Sequence, residues 1–335
     1  MLPEPDCVVA VDIGGTKLAA AIVDRDGQLR YQRAAPTNSD NGAGQALERA
    51  LELIAAVIAD EEREGVRPKA LGVSTKGLTR EDGVQIAGDL PGWAELRIPA
   101  RLRERFPGLP TLTVNDVKAG TFAETVWGEL RGVANGLYIN LGTGVAAGIV
   151  VGGELVEGAH GAAGEIGYVV PSLAALAARC PDEAPLEELI GGRGMASRAS
   201  RQLGRSVTMA ELVTLGDHDE EARALCEELL DEVALWIANL SIVLDPSKVV
   251  LGGGFIRSGR DLCQRVEDVL KRAAPFRPDV VPAFFGADSA LVGAGALALR
   301  LVAAAAPEVA GISGEVRTGQ QVLDRRSQRC SSDLP

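Results

Sequence analysis

Hydrophobic positions open the chain in short unbroken runs. VVAVDI (8–13) and KLAAAIVD (17–24) have the composition of strands buried on both faces, and QLRYQRAA (28–35) follows them after the turn RDG. Two glycines separate the first two runs, which predicts a hairpin with a glycine-rich tip. From 44 to 64 the period changes: Leu47, Ala50, Leu51, Ile54, Val57 and Ile58 recur at helical spacing. ALGVST (70–75) returns to strand and TREDGVQIA reads as a polar hairpin. After DLPGW (89–93), a basic helix is expected near 98–106. TLTVND (111–116) is then a strand that feeds the helix KAGTFAETVWGEL (118–130).

At 137 the pattern begins again. LYINLGTGVAAGIVVGGELV is strand, glycine-rich turn, strand, glycine turn, strand, and it lies over VAVDIGGTKLAAAIVDRDGQL with Asn140 against Asp12 and Gly142 against Gly14. An internal repeat of this kind predicts two similar α/β halves whose hairpins face each other across a cleft. Helices are expected near 187–203 and 219–244, then the strand KVVLGGG (248–254), a helix from about 258 to 274, the strand DVVPAFF (279–285) and a helix from 289 to about 305. The tail 307–335 is polar and turn-rich, and disorder is expected there.

Composition narrows the function. The 335 residues suffice for roughly two domains of ordinary size. With 34 basic residues against 46 acidic ones the formal net charge is −12, and the basic residues are dispersed, which argues against a nucleic-acid surface. Any anionic ligand must be held by backbone N–H groups, a metal ion and a few lysines. Five cysteines (Cys7, Cys180, Cys226, Cys263 and Cys330) lack C-x-x-C spacing and read as small buried hydrophobes, and two histidines give no zinc pattern. No signal peptide is legible, so a reducing cytoplasm is the expected setting. No membrane span is expected either, because the alanine-rich stretch 294–306 is interrupted by Arg300 and stopped by Pro307.

Two nucleotide-binding patterns are excluded by context. A dinucleotide fingerprint needs its glycines to open a helix, whereas DIGGTK is followed by strand; no Walker-type G-x-x-x-x-G-K-[ST] occurs. Instead, DIGGTK, VNDVKAGTFAE, INLGTGVAAGIVVGG, GAAGEIG and VLGGG stand in an order and spacing across about residues 8–300 that resembles the ROK family of sugar kinases and repressors, within the actin-like ATPase fold. The resemblance implies two actin-like (ribonuclease H-like) α/β domains around a cleft, with hairpin-rich mixed sheets flanked by helices. The first domain would be 1–117, completed by about 290–306, and the second 118–289. It also implies a homodimer.

A kinase acting on a sugar hydroxyl needs phosphate oxygens held by N–H groups, magnesium, and a base beside the attacking hydroxyl. Asp12, Gly14, Gly15, Thr16 and Lys17 would serve the phosphates of ATP, Asp12 reaching Mg2+ through water. Gly142, Thr143 and Gly144 would hold the nucleotide from the opposite side, with Gly252, Gly253 and Gly254 along adenosine. Asp116 is the candidate general base; the plainer use of Asn115 and Asp116 is as a cap on the helix they precede. The resemblance adds sugar contacts at Asn115, Asp116, Glu165 and Glu187.

The departures concern the acceptor. Family kinases read G-E-x-G-H followed by a cysteine-rich segment that holds zinc, whereas this chain reads GEIGYVVPSLAALAARCPDEAPLEE. Tyr168 replaces the histidine and Cys180 is alone, so no zinc site is expected, and the segment would be held by packing of Leu173 and Leu176 as a short helix. Lys76 stands beside Gly77 at the expected pocket edge. The acceptor is then a hexose phosphorylated on a primary hydroxyl, the 6-hydroxyl foremost, or an amino sugar or C7-cyclitol. A sugar-responsive repressor would carry an N-terminal DNA-binding helical domain, and the chain opens on its first strand at residue 8, so a kinase is expected over a repressor; a non-catalytic sugar sensor is the third class.

Overall fold

The computed structural model describes residues 7–38, 42–86, 92–178, 183–254 and 262–305. Cys180, Cys330, part of DLPGW and the tail 307–335 lie outside the described residues.

The first half runs β1 (Cys7–Ile13), β2 (Lys17–Asp24), β3 (Leu29–Pro36), α1 (Ala43–Arg63), β4 (Leu71–Thr75), β5 (Leu78–Thr79), β6 (Val84–Gln85), α2 (Ile98–Arg105) and β7 (Thr111–Asn115). α3 (Asp116–Val126) leads into β8 (Gly136–Leu141), β9 (Val145–Val151) and β10 (Glu154–Leu155). Then come α4 (Leu173–Ala178), α5 (Pro185–Ile190), α6 (Gly192–Gln202), α7 (Met209–Leu215), α8 (Glu220–Leu244), β11 (Lys248–Gly252), α9 (Leu262–Ala273), β12 (Asp279–Pro282) and α10 (Ser289–Ala305).

The sheets repeat one topology. One is ordered β3-β2-β1-β4-β7 and the other β10-β9-β8-β11-β12, and in each an antiparallel hairpin pair is extended by two parallel strands. This makes the fold a mixed α/β architecture, as the repeat in the sequence predicts.

Alternation along β1 explains why it is apolar on both faces up to Asp12. Val9, Val11 and Ile13 face Leu47, Leu51 and Ile54 of α1, while Val8 and Ala10 face Leu291, Ala294 and Ala298 of α10. Each such fully buried Val, Leu or Ile side chain contributes about 1.5–3 kcal/mol. The second sheet does the same: Leu137, Ile139 and Leu141 point to the core under α5, α6 and α8, and Tyr138 and Val250 point to Val117 of α3. α3 therefore starts at the end of a first-sheet strand and packs on the second sheet. By length and composition Gly286–Ala305 could cross a membrane, but the inner face of α10 is part of the first core. Described residues up to Val302 belong to one compact unit; from Ala303 on, only the last turn of α10 is described.

Several expectations are corrected. The single helix expected over 187–203 is broken into α5 and α6 at Gly191, whose backbone is extended (φ −72°, ψ 150°). α7 is an additional helix, started by a capping box in which Thr208 and Glu211 satisfy each other's backbone N–H groups. The last strand stops at Pro282, and α3 begins two residues before 118 because Asn115 caps it. The segment 164–187 does contain a short helix, α4, but packing of Leu173 and Leu176 does not hold it. Leu173 is 85% and Leu176 53% exposed, and α4 buries no residue. Cys7 and Cys226 are buried as small hydrophobes and Cys263 is half-buried. Burial and the neighbouring Glu61 push the Cys7 thiol up to about 12, which leaves it unreactive.

Candidate active site

Parallel strands bring their carboxyl ends together, and ligands of α/β sheets bind there. Asp12 sits near the end of β1 opposite Ser74 of β4, and Asn115 ends β7 opposite Thr75. In the second sheet Asn140, near the end of β8, stands opposite Gly252, the last residue of β11. The repeat thus puts Asp12 and Asn140 in equivalent places.

Between these ends lies a cavity of about 410 Å³. Of the residues singled out in the sequence, Gly15, Thr16, Lys76, Gly77, Asn115, Asp116, Gly142, Thr143, Gly144, Glu165 and Glu187 line it. Both hairpin tips therefore face one space. Asp12, Gly14 and Lys17 stand behind the tip: Gly14 donates its N–H to the Lys17 carbonyl at 3.0 Å, closing the hairpin, while Thr37 Oγ1 donates to the Gly14 carbonyl at 2.7 Å. Gly142 N–H closes the second tip on the Gly144 carbonyl, also at 3.0 Å.

The turn 252–254 and Tyr168 are not on the cavity wall. Gly253 has φ +96°, a conformation that favours glycine, and a Cβ there would strike the Leu141 backbone. At 252 and 253, close approach to β8 is thus sufficient reason for glycine. Tyr168 is half-buried and ends the 3-10 turn Ile166–Tyr168.

Asn115 performs the capping role: its Oδ1 accepts from the N–H groups of Val117 at 3.0 Å and Lys118 at 3.2 Å, and its Nδ2 donates to the Gly77 carbonyl at 3.4 Å. That leaves Asp116 as the first residue of α3, with one oxygen accepting from Val117 N–H at 2.9 Å. Burial raises the Asp116 carboxyl above the ordinary range, opposed by that N–H and by the Lys76 ammonium. Asp12 is pushed up to about 7, first by burial and then by the charge of Asp116, although Ser74 Oγ donates to it at 2.8 Å. Glu165 is raised by burial and by Asp116. Three carboxyl groups thus crowd one end of the cleft.

Glu187 is built into the second tip. Its Oε2 accepts from Val145 N–H at 3.1 Å, and a Cβ on Gly144 would collide with that carboxylate. The break between α5 and α6 continues the contact: Gly192 N–H reaches the Gly142 carbonyl at 3.1 Å and Arg193 N–H the Thr143 carbonyl at 2.9 Å. Arg193, absent from the sequence reading, lines the cavity with its guanidinium 3.3 Å from Glu188 and 3.9 Å from Glu187. Ile86 was missed as well. It lines the cavity at φ +56°, unusual for a β-branched residue, and neither hydrophobicity nor spacing signals it.

Comparison with known proteins places the chain by family and fold. A family model, ROK family, matches residues 8–301. N-acetylmannosamine kinase of Escherichia fergusonii is 30% identical over 293 residues, which is 87% of this chain and 97% of that protein. Among solved structures, a ROK hexokinase from Thermus thermophilus superposes with a TM-score of 0.75 at 30% identity, covering 89% of this chain and 99% of that one. A ROK family glucokinase from Streptomyces griseus, in complex with glucose and AMPPNP, gives 0.69 at 26% identity, covering 88% and 99%. With the family pattern matched from the first strand to the last helix, and the fold with it, the chain belongs to the ROK family.

Proposed function

We propose that this chain transfers the γ-phosphoryl group of Mg-ATP to a primary hydroxyl, the 6-hydroxyl of a hexose or hexose-like acceptor, with Asp116 as general base. The coarser reading, a sugar kinase, is the activity of its N-acetylmannosamine kinase and glucokinase relatives, which the chain matches over nearly their whole length. The observation that carries the finer reading is that Asp116 opens onto the same cavity as both glycine hairpin tips.

In this reading the acceptor oxygen attacks the γ-phosphorus, its proton passes to the Asp116 carboxylate, and the bond to the β–γ bridging oxygen breaks so that ADP leaves. Burial raises that carboxyl, and Val117 N–H and the Lys76 ammonium work against it by favouring the ionised form. Asn115 orients Asp116 by fixing the first turn of α3. The backbone of Gly15, Thr16 and 142–144 cradles the phosphates.

Magnesium fits the donor set. It takes hard oxygen ligands and binds through one or two carboxylates plus phosphate oxygens, and Asp12 is a carboxyl whose burial and proximity to Asp116 outweigh the compensation from Ser74 and Lys17. Asp12 would hold the ion, which neutralises charge on the triphosphate when bound.

The first experiment is ADP release from Mg-ATP against glucose, mannose, fructose, N-acetylated and free amino sugars, and cyclitols. Turnover on a hexose or amino sugar that falls about 10²–10⁴-fold in Asp116→Asn supports the reading. Full activity in Asp116→Asn removes the proposed base, and silence of the parent across the panel turns the reading toward a sensor. A homodimer is the expected assembly, read by sedimentation velocity as a single species of twice the chain mass.

A further inference from the structure

Lys118 and Arg80 do not line the cavity, yet both grip the segment that leads to it. Lys118, on the first turn of α3, is only 6% exposed, and a buried ammonium must find hydrogen-bond acceptors. Its Nζ donates to the Glu157 carbonyl at 3.2 Å and to the Gly161 carbonyl. Arg80, just past β5, donates to the carbonyl between them, that of His160. Backbone bonds make this segment a closed loop. Ala163 N–H returns to the Glu157 carbonyl at 3.0 Å, Glu165 N–H reaches the Ala162 carbonyl at 3.2 Å, and the Gly164 carbonyl accepts from Ala147 of β9 at 2.7 Å.

We propose that Lys118 and Arg80 are positioning residues that clasp segment 157–161 and so aim Glu165 into the acceptor end of the cleft. The two cations come from different places. Lys118 follows Asn115 and Asp116 on the helix that leaves the first sheet, while Arg80 stands three residues past Gly77, whose carbonyl Asn115 holds. The loop belongs to the second half, between β10 and the turn carrying Tyr168. The clasp therefore ties the wall that bears Glu165 to the elements that bear Lys76, Gly77 and Asp116. It acts on the acceptor side and leaves the hairpin tips that face the phosphates untouched. In the clasp both cations donate to backbone carbonyls, and the Glu157 and Glu165 carboxylates add a Coulombic attraction to the Lys118 ammonium. A guanidinium in place of Lys118 keeps the charge and donors but is planar and longer, and restores the clasp in part.

This proposal rests on the reading of the cleft as a kinase site with a sugar acceptor, and its test separates the two. Lys118→Met, Lys118→Arg and Arg80→Met would be compared with the parent by hydrogen exchange of the unliganded proteins, and by the KM of acceptor and of ATP. The expected result is at least tenfold faster amide exchange across 157–165 in Lys118→Met and Arg80→Met. Acceptor KM rises about tenfold or more while the KM for ATP stays within twofold, with partial recovery in Lys118→Arg. Unchanged exchange in folded variants, or a parallel rise of both KM values, overturns the clasp. Should Lys118→Met fail to fold, Arg80→Met decides, since its contact lies at the surface. A parent inactive on every acceptor overturns the kinase reading, and the exchange data still decide the clasp.

Discussion

Asp12 carries a pH signature of its own. Its carboxyl is raised from 3.8 to about 7 in the folded chain, so between those values the native state binds more protons than the unfolded one. The resulting stabilisation is fully present below about pH 4 and is lost as pH rises through 7. Unliganded parent should therefore lose stability relative to Asp12→Asn between pH 5 and 8, by about 1–3 kcal/mol in urea unfolding. Equal pH dependence of the two proteins would contradict the raised Asp12 carboxyl, which burial and then the charge of Asp116 produce. Gly144 supplies a second prediction. An alanine there meets the Glu187 carboxylate, which must swing aside and give up its bond from Val145 N–H, so Gly144→Ala should weaken AMPPNP binding, read by calorimetry. Asn115 and Asp116 were legible because a strand ending in two polar residues before a helix is a local pattern. Arg193 was not, since its place on the wall depends on a backbone bond to Thr143, fifty residues earlier.

At the scale of elements, periodicity was reliable where one face meets one core. α1, α8 and α10 lie within a residue or two of their expected bounds because their apolar positions face continuous cores. It failed between α5 and α6, where Gly191 interrupts an apparently continuous helix so that Gly192 and Arg193 can bond the second hairpin tip. It failed again at α4, where an apolar composition suggested a packed segment. Leu173 and Leu176 face solvent instead, so Leu173→Gln and Leu176→Gln should each change unfolding stability by no more than about 0.5 kcal/mol. A loss of about 2 kcal/mol or more would show that the helix is covered in solution. The overlooked α7 had a local signature, Thr208 followed three residues later by Glu211, and a search for capping boxes would have found it.

For the molecule as a whole, the repeat was the most informative signal in the chain. Asn140 over Asp12 and Gly142 over Gly14 were read from text alone, and the two sheets have the same strand order. What text could not supply is how α3 binds them, starting at β7 and packing Val117 among Tyr138, Val150 and Val250. Closure of the cleft over its substrates is the expected motion, with hinges near 115–118 and 290–295. It should appear as a smaller radius of gyration by X-ray scattering when acceptor and AMPPNP are added together. An unchanged radius would mean that the cleft works without closing.

The equivalence of Asp12 and Asn140 has a consequence for orientation. A scaffold made of two like halves offers a triphosphate two opposed ways to lie, and backbone glycines alone would scarcely distinguish them. Under the proposed function, an ionisable acid in one half and a neutral amide in the other would remove that degeneracy, because a cation-laden phosphate tail would settle on the acid. Exchanging the two, Asp12→Asn with Asn140→Asp, would then ask whether the direction of a nucleotide is written in a single pair of residues.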